Sequence, residues 1–110
     1  MMEKQKWCAN DVLPSEPAHP GEFIMVLLDN LHLTQKTFAH QIGVSPSQLN
    51  EVLHGKRPVN LEWALLFEKS LGTDPEALLK MQIDHDKQVL LHNAAFKEKL
   101  NRIRRIAAAL

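Results

Sequence analysis

The sequence predicts an all-α fold, and three observations carry that expectation. Among 110 residues there are only 4 glycines and no tyrosine, and no stretch alternates apolar and polar residues as a half-buried strand does. Apolar residues recur instead at helical spacing in several segments. Those segments are bracketed by start and stop residues: Thr34, Ser45-Pro46 and Asn60 at the front, Gly43, Gly55 and Gly72 behind. A chain of this length builds one core and not two.

Residues 1–18 read as an irregular arm, because Pro14, Pro17 and Pro20 block a helix and favour extended geometry. Trp7, Val12 and Leu13 give the arm the means to dock on the core; the alternative is that it lies loose. The first helix starts near Pro20 or Gly21, with Phe23, Ile24, Leu27, Leu28 and Leu31 on its apolar side. Thr34 caps a helix from Gln35 to Ile42, and Gly43 is its left-handed stop. Ser45 with Pro46 at the first helical position opens the next, which Gly55 ends. Asn60 caps Leu61 to Leu71, and Gly72 stops it. Thr73 with Glu76 three residues on reads as a capping box for the following helix. From about Asp84 the pattern stays helical to the end. There Phe96, Leu100, Ile103, Ala107 and Leu110 form a short seam of coiled-coil spacing.

Composition removes several classes. The apolar fraction is 45% and the charged fraction 24%, ordinary for a globular chain. The single cysteine, Cys8, permits neither an internal disulfide nor a cysteine-based zinc site, and in the arm it has no assignable base. The longest apolar run, Phe23 to Leu28, is too short to span a membrane, and no apolar segment follows Lys4 and Lys6 as in a signal peptide, so a cytoplasmic protein is expected. The six histidines form no HxH or HxxxH pair, so no metal and no cofactor are expected. No catalytic constellation is visible, and an enzyme is not expected.

The formal net charge is zero, which disfavours an indiscriminate nucleic-acid binder. The zero is a cancellation. Residues 1–33 carry −3, 34–58 carry +2, 59–86 carry −4 and 87–110 carry +5. The basic tail, with Lys97, Lys99, Arg102, Arg104 and Arg105, admits three readings: a solvated face, a partner for the acidic stretch from Glu62 to Asp86, or a nucleic-acid contact.

Function is carried by residues 35–54, QKTFAHQIGVSPSQLNEVLH. Two short helices flank a tight turn at Ile42-Gly43-Val44-Ser45. Ala39 is small where the helices cross, and Gly43 supplies the positive φ of the turn. Phe38, Ile42, Val44, Leu49 and Val52 face a shared core, while Ser45, Ser47, Gln48, Asn50 and Glu51 face outward. This is the pattern of a DNA-reading helix-turn-helix; an αα-hairpin that only packs does not need all of these positions together.

Residues 19–86 resemble the HigA-type antitoxins, within the phage-repressor-like helix-turn-helix regulators. The resemblance rests on His19-Pro20-Gly21-Glu22, Leu33-Thr34-Gln35, the turn at 42–45, Leu49-Asn50-Glu51-Val52-Leu53, Gly55-Lys56-Arg57-Pro58, Ala64-Leu65, Leu71-Gly72-Thr73, Met81-Gln82 and Asp86. It implies a five-helix domain over 19–86, here followed by an extra C-terminal helix over 87–110. It also implies dimerisation, binding to an operator in the protein's own promoter, and neutralisation of a toxin that cleaves mRNA. The chain departs from the family at Pro46 and Gln48, where Arg or His is common, and at Ala77 and Leu78, where an aromatic is common.

In such a motif the second helix enters the major groove of double-stranded DNA. Base readout is expected from Ser45, Pro46, Ser47, Gln48, Asn50 and Glu51. Gln48 suits adenine, Pro46 suits a thymine methyl, and Glu51 either accepts from cytosine or pairs with Arg57 or Lys56. Phosphate contacts are expected from Thr34, Gln35, Lys56 and Arg57. A homodimer would span two half-sites about 34 Å apart, joined by the helix after Thr73 or by the Phe96–Leu110 seam. The acidic segments 1–33 and 59–86 suit a small basic toxin. Two rival readings are a regulator with no toxin and an interaction module that has lost DNA binding.

Overall fold

The computed structural model describes residues 18–107, so Trp7, Cys8, Val12, Leu13, Leu110 and nearly all of the arm lie outside the described residues. Six helices and no strand occur among those described: α1 Pro20–Asn30, α2 Gln35–Ile42, α3 Pro46–Leu53, α4 Leu61–Leu71, α5 Pro75–Leu91 and α6 Ala94–Asn101. None is long and apolar enough to cross a membrane.

Most boundaries follow from local chemistry. The Thr34 hydroxyl accepts the Thr37 N–H at 3.1 Å, Ser45 Oγ accepts the Gln48 N–H at 3.3 Å, and Asn60 Oδ1 accepts the Trp63 N–H at 3.0 Å. Gly43 ends α2 at φ 74°, a left-handed conformation that a side chain makes costly.

α4 runs through the centre. Phe38 of α2 stacks on Phe67 with ring centroids 6.3 Å apart, and Trp63 tilts against the same ring at 5.8 Å. Ile24 and Leu28 of α1, Leu49, Val52 and Leu53 of α3, and Leu78 of α5 complete the buried cluster. Ala39 is fully buried where α2 meets α3. α1 lies against α3 and α5, α2 against α3, and α4 against α5.

α1 and α3 meet backbone to backbone. A methyl group at Gly21 would collide with the carbonyl oxygen of Val52 and lie 2.9 Å from the Leu53 α-carbon. His19 sits just outside the same helix end, and its Nδ1 accepts the Gly21 N–H at 2.9 Å. The His19-Pro20-Gly21 segment is therefore a cap, a helix starter and a contact point in three successive residues.

The C-terminal third differs from the sequence expectation. The cap of α5 is Asp74, whose Oδ1 accepts the Glu76 N–H at 3.3 Å, and not Thr73, whose hydroxyl is buried without a partner. Pro75 holds the residue before it in extended geometry (Asp74 ψ 117°), which makes Asp74 the residue just outside the helix. α5 runs unbroken across the boundary expected at 86/87. The single helix expected over 87–110 is two pieces, because Asn93 caps a new helix by accepting the Phe96 N–H at 2.9 Å. α6 stops at Asn101, and 102–107 are not helical. The seam is interrupted accordingly: Phe96 is half-buried, whereas Leu100 and Ile103 are 40% and 63% exposed.

Gly21→Ala tests the α1–α3 contact. Alanine normally stabilises a helix by about 0.5–1 kcal/mol over glycine. Here we expect the opposite sign, a loss of about 2–4 kcal/mol, read from urea unfolding curves.

Candidate nucleic-acid interface

The outward side of α3 meets the front of α2 in an open trough of about 500 Å³, lined by Gln35, Lys36, Pro46, Ser47, Asn50, Glu51 and Lys56. Six of the ten sequence-expected site residues thus share one surface. The other four lie beside it: Thr34 and Ser45 cap the two helices, and Gln48 and Arg57 are exposed. Lys36 was not among the expected contacts. Its signal was its place next to Gln35 in the first turn of α2, at the end of the helix that opens on the trough.

Cross-links hold the polar side chains in register. Asn50 Nδ2 donates to Gln35 Oε1 at 3.0 Å, joining α3 to the start of α2. This leaves the Gln35 amide nitrogen and the Asn50 amide oxygen available outward. Of the two readings of Glu51, the free structure shows the partner. Arg57 places Nε at 3.1 Å and a terminal guanidinium nitrogen at 2.8 Å from Glu51 Oε1. An exposed pair of this kind adds no more than about 1 kcal/mol of stability. Its larger consequence is to offset a carboxylate on a surface otherwise marked by Lys36 and Lys56.

Lys56 and Arg57 sit in the connection that leaves α3. Both backbone N–H groups donate to the Glu51 carbonyl, at 2.8 and 3.2 Å. Two residues on, the Val59 N–H donates to Gln82 Oε1 at 2.7 Å, and Gln82 Nε2 donates to Asp86 Oδ1 at 2.9 Å. Gln82 is buried. No pattern in the sequence points to this partnership, which joins positions 23 residues apart. The His19 ring packs near Gly55, the left-handed residue ending α3, and makes an edge contact with the His85 ring at 5.1 Å.

Among the described residues no group of three or more His, Cys, Asp or Glu is placed to hold a metal ion.

With this geometry the chain matches the helix-turn-helix family over residues 24–78, half of its length and all of the core between α1 and α5. The chain belongs to the helix-turn-helix family. Three solved structures show the same architecture. A Nostoc punctiforme protein described as an antidote of a plasmid maintenance system is 32% identical, with TM-score 0.69 over 84% of this chain and 99% of that one. An addiction module antidote protein of a HigA family from Coxiella burnetii is 25% identical, with TM-score 0.73 over 82% and 98%. The Pseudomonas aeruginosa antitoxin HigA, solved with the higBA promoter, shares the fold at 18% identity and TM-score 0.73 over 84% and 100%.

One titration follows from the geometry of this helix-turn-helix protein. Burial lowers the pKa of His19 below its ordinary 6.5, and His85 lowers it further; Asp86, Glu22 and Gln82 oppose the shift without cancelling it. The unfolded chain therefore binds the proton more readily. Stability is full above about pH 6.5 and is lost as pH falls through the lowered value. Asn at position 19 keeps an oxygen to accept the Gly21 N–H but does not titrate. The stability difference between wild type and His19→Asn should narrow as pH falls from 7.5 to 5.5. A difference constant over that range, by denaturant unfolding, refutes the assignment.

Proposed function

We propose that this chain is a cytoplasmic, dimeric repressor that occludes its own promoter and, as the antitoxin of a type II pair, neutralises a small basic toxin that cleaves mRNA. The observation that carries the DNA part is the trough. It gathers Gln35, Lys36, Pro46, Ser47, Asn50, Glu51 and Lys56 on the outward side of α3, the helix that enters the major groove in this family. The antitoxin part is supported by the likeness to the Nostoc antidote protein and the Coxiella HigA protein. The reading includes no catalysis.

The side chains divide by role. Pro46, at the first helical position, packs without donating. Ser47, Gln48 and Asn50 read base edges, and Ser45 adds its hydroxyl proton, since its oxygen already accepts the cap. Glu51 accepts from cytosine where the operator offers one. Thr34, Gln35, Lys36, Lys56 and Arg57 hold phosphates, aided by the N-terminus of α2. Dimerisation is supported by an unpartnered apolar surface on α5 and beyond, where Ile83, Val89, Leu90, Leu100 and Ile103 are each at least 40% exposed. The toxin surface draws on Glu62, Glu68 and Glu76; Asp84 is already paired with Lys80 at 2.9 Å and contributes less.

Titration onto the chain's own upstream DNA at two salt concentrations, with competitor DNA present, tests the repressor reading. Gln48→Ala should relax preference at one base position by about 1–3 kcal/mol. Lys56→Ala should weaken all sequences alike and reduce the salt slope by about one. Equal loss on all sequences for Gln48→Ala removes it from base readout.

Charge reversal at Glu62, Glu68 and Glu76 together should weaken the complex with the protein encoded beside it and make its affinity less dependent on salt. An unaltered salt dependence refutes the electrostatic part of that interface.

A further inference from the structure

We infer that Gln82, buried on α5 and remote from the trough, is a positioning residue for DNA binding that acts through the Lys56–Val59 connection. The inference rests on the operator-binding reading and adds to it a residue that no motif of the DNA-reading unit contains.

Every backbone N–H in this connection has a destination. Gly55 N–H donates to Val52 O at 3.2 Å, and Lys56 and Arg57 both donate to Glu51 O. Pro58 has no N–H. Val59 N–H goes to Gln82 Oε1 at 2.7 Å. One end of the connection is thus tied to α3 and the other to α5, and the two candidate phosphate-binding residues lie between the ties. The polar part of the α5 tie is a single side chain, beside the buried Val59 side chain. Val59 is 1% exposed and Gln82 7% exposed, so water does not replace the bond readily when it is removed.

Gln82 is itself oriented. Its Nε2 donates to Asp86 Oδ1 at 2.9 Å, one helical turn on, which fixes the amide with its oxygen toward Val59. An apolar residue of similar size leaves the Val59 N–H unpaired and loosens that end of the connection, which is then held only by the packing of the Val59 side chain and by the Asn60 cap of α4. Lys56 and Arg57 then keep only their tie to the Glu51 carbonyl, and their side chains are held less closely over the trough. A phosphate-binding side chain is worth most when it starts from a fixed place, because ordering it on binding costs entropy.

The test compares wild type, Gln82→Met, Asp86→Ala and Lys56→Ala on the chain's own upstream DNA over a range of salt. A residue that only supports the fold lowers the fraction of active protein and leaves the slope of log affinity against log salt unchanged. A positioning residue lowers the slope, by about 0.9 for each phosphate that is no longer neutralised. The expected result for Gln82→Met is a slope shallower by about 0.9 to 1.8, one or two phosphates. Adding Lys56→Ala to it should then cost less than Lys56→Ala costs alone. Asp86 is exposed, so Asp86→Ala folds even if Gln82→Met does not, and should shift the slope in the same direction by a smaller amount. In the free protein the Val59 amide should exchange slowly in wild type and at least about tenfold faster in Gln82→Met. Wild-type slopes in both variants, or strictly additive effects with Lys56→Ala, overturn the inference while leaving the operator reading intact. A wild-type chain with no salt-dependent binding overturns the operator reading, and this inference with it.

Discussion

The fold depends on how α3 is held. Eight residues form too short a helix to persist in water unaided. Leu49, Val52 and Leu53 anchor it through the core, and the bare backbone of Gly21 lets α1 approach its last turn. Holding the inner side of α3 this closely fixes the direction of its outer side. The caps at Thr34 and Ser45 and the left-handed residue at Gly43 then set the angle of α2. That angle brings Gln35 within 3.0 Å of Asn50 and opens the trough between them.

What was legible in the sequence was what local chemistry decides. Thr34, Ser45-Pro46, Asn60, Gly43 and Gly72 act over one turn of chain, so each boundary they set can be read without knowing the fold. The failures are of two kinds. At the start of α5 the Thr73–Glu76 spacing suggested a cap one residue too early, and Pro75 makes Asp74 the cap instead. At Asn93 a cap lay inside a helical pattern whose apolar spacing continued on both sides, and spacing alone does not register such a break. The domain core could be placed from periodicity, but the reason for Gly21 could not. A glycine near a helix start looks like a weak helix former until the backbone of α3 is found against it.

The candidate site divides in the same way. Its outward polar residues were visible because α3 has a strict inner and outer side. Their links to other elements were not. Asn50 with Gln35, Glu51 with Arg57 and Val59 with Gln82 all cross between elements or leave a helix for a loop. The resemblance to HigA-type proteins included His19-Pro20-Gly21 and Gln82 with Asp86, motifs at opposite ends of the matched region. The structure gives them a common purpose. His19 packs near Gly55, and Gln82 holds Val59, so both ends of the connection after α3 are met by residues distant in sequence.

This arrangement also explains how a chain with no net charge presents a surface suited to phosphate. Lys36 and Lys56 lie at the trough, and the one carboxylate there is matched by Arg57. The acids of the 59–86 segment sit on α4, on α5 and at the cap of α5, with Asp84 tied to Lys80. Charge is thus separated by element, and the separation costs the fold little because nearly all of these groups are exposed. The core residues of α3 point one way and its polar residues the other. Ser47 and Gln48 are therefore free of packing duties, and either can be substituted without disturbing the seat of the helix.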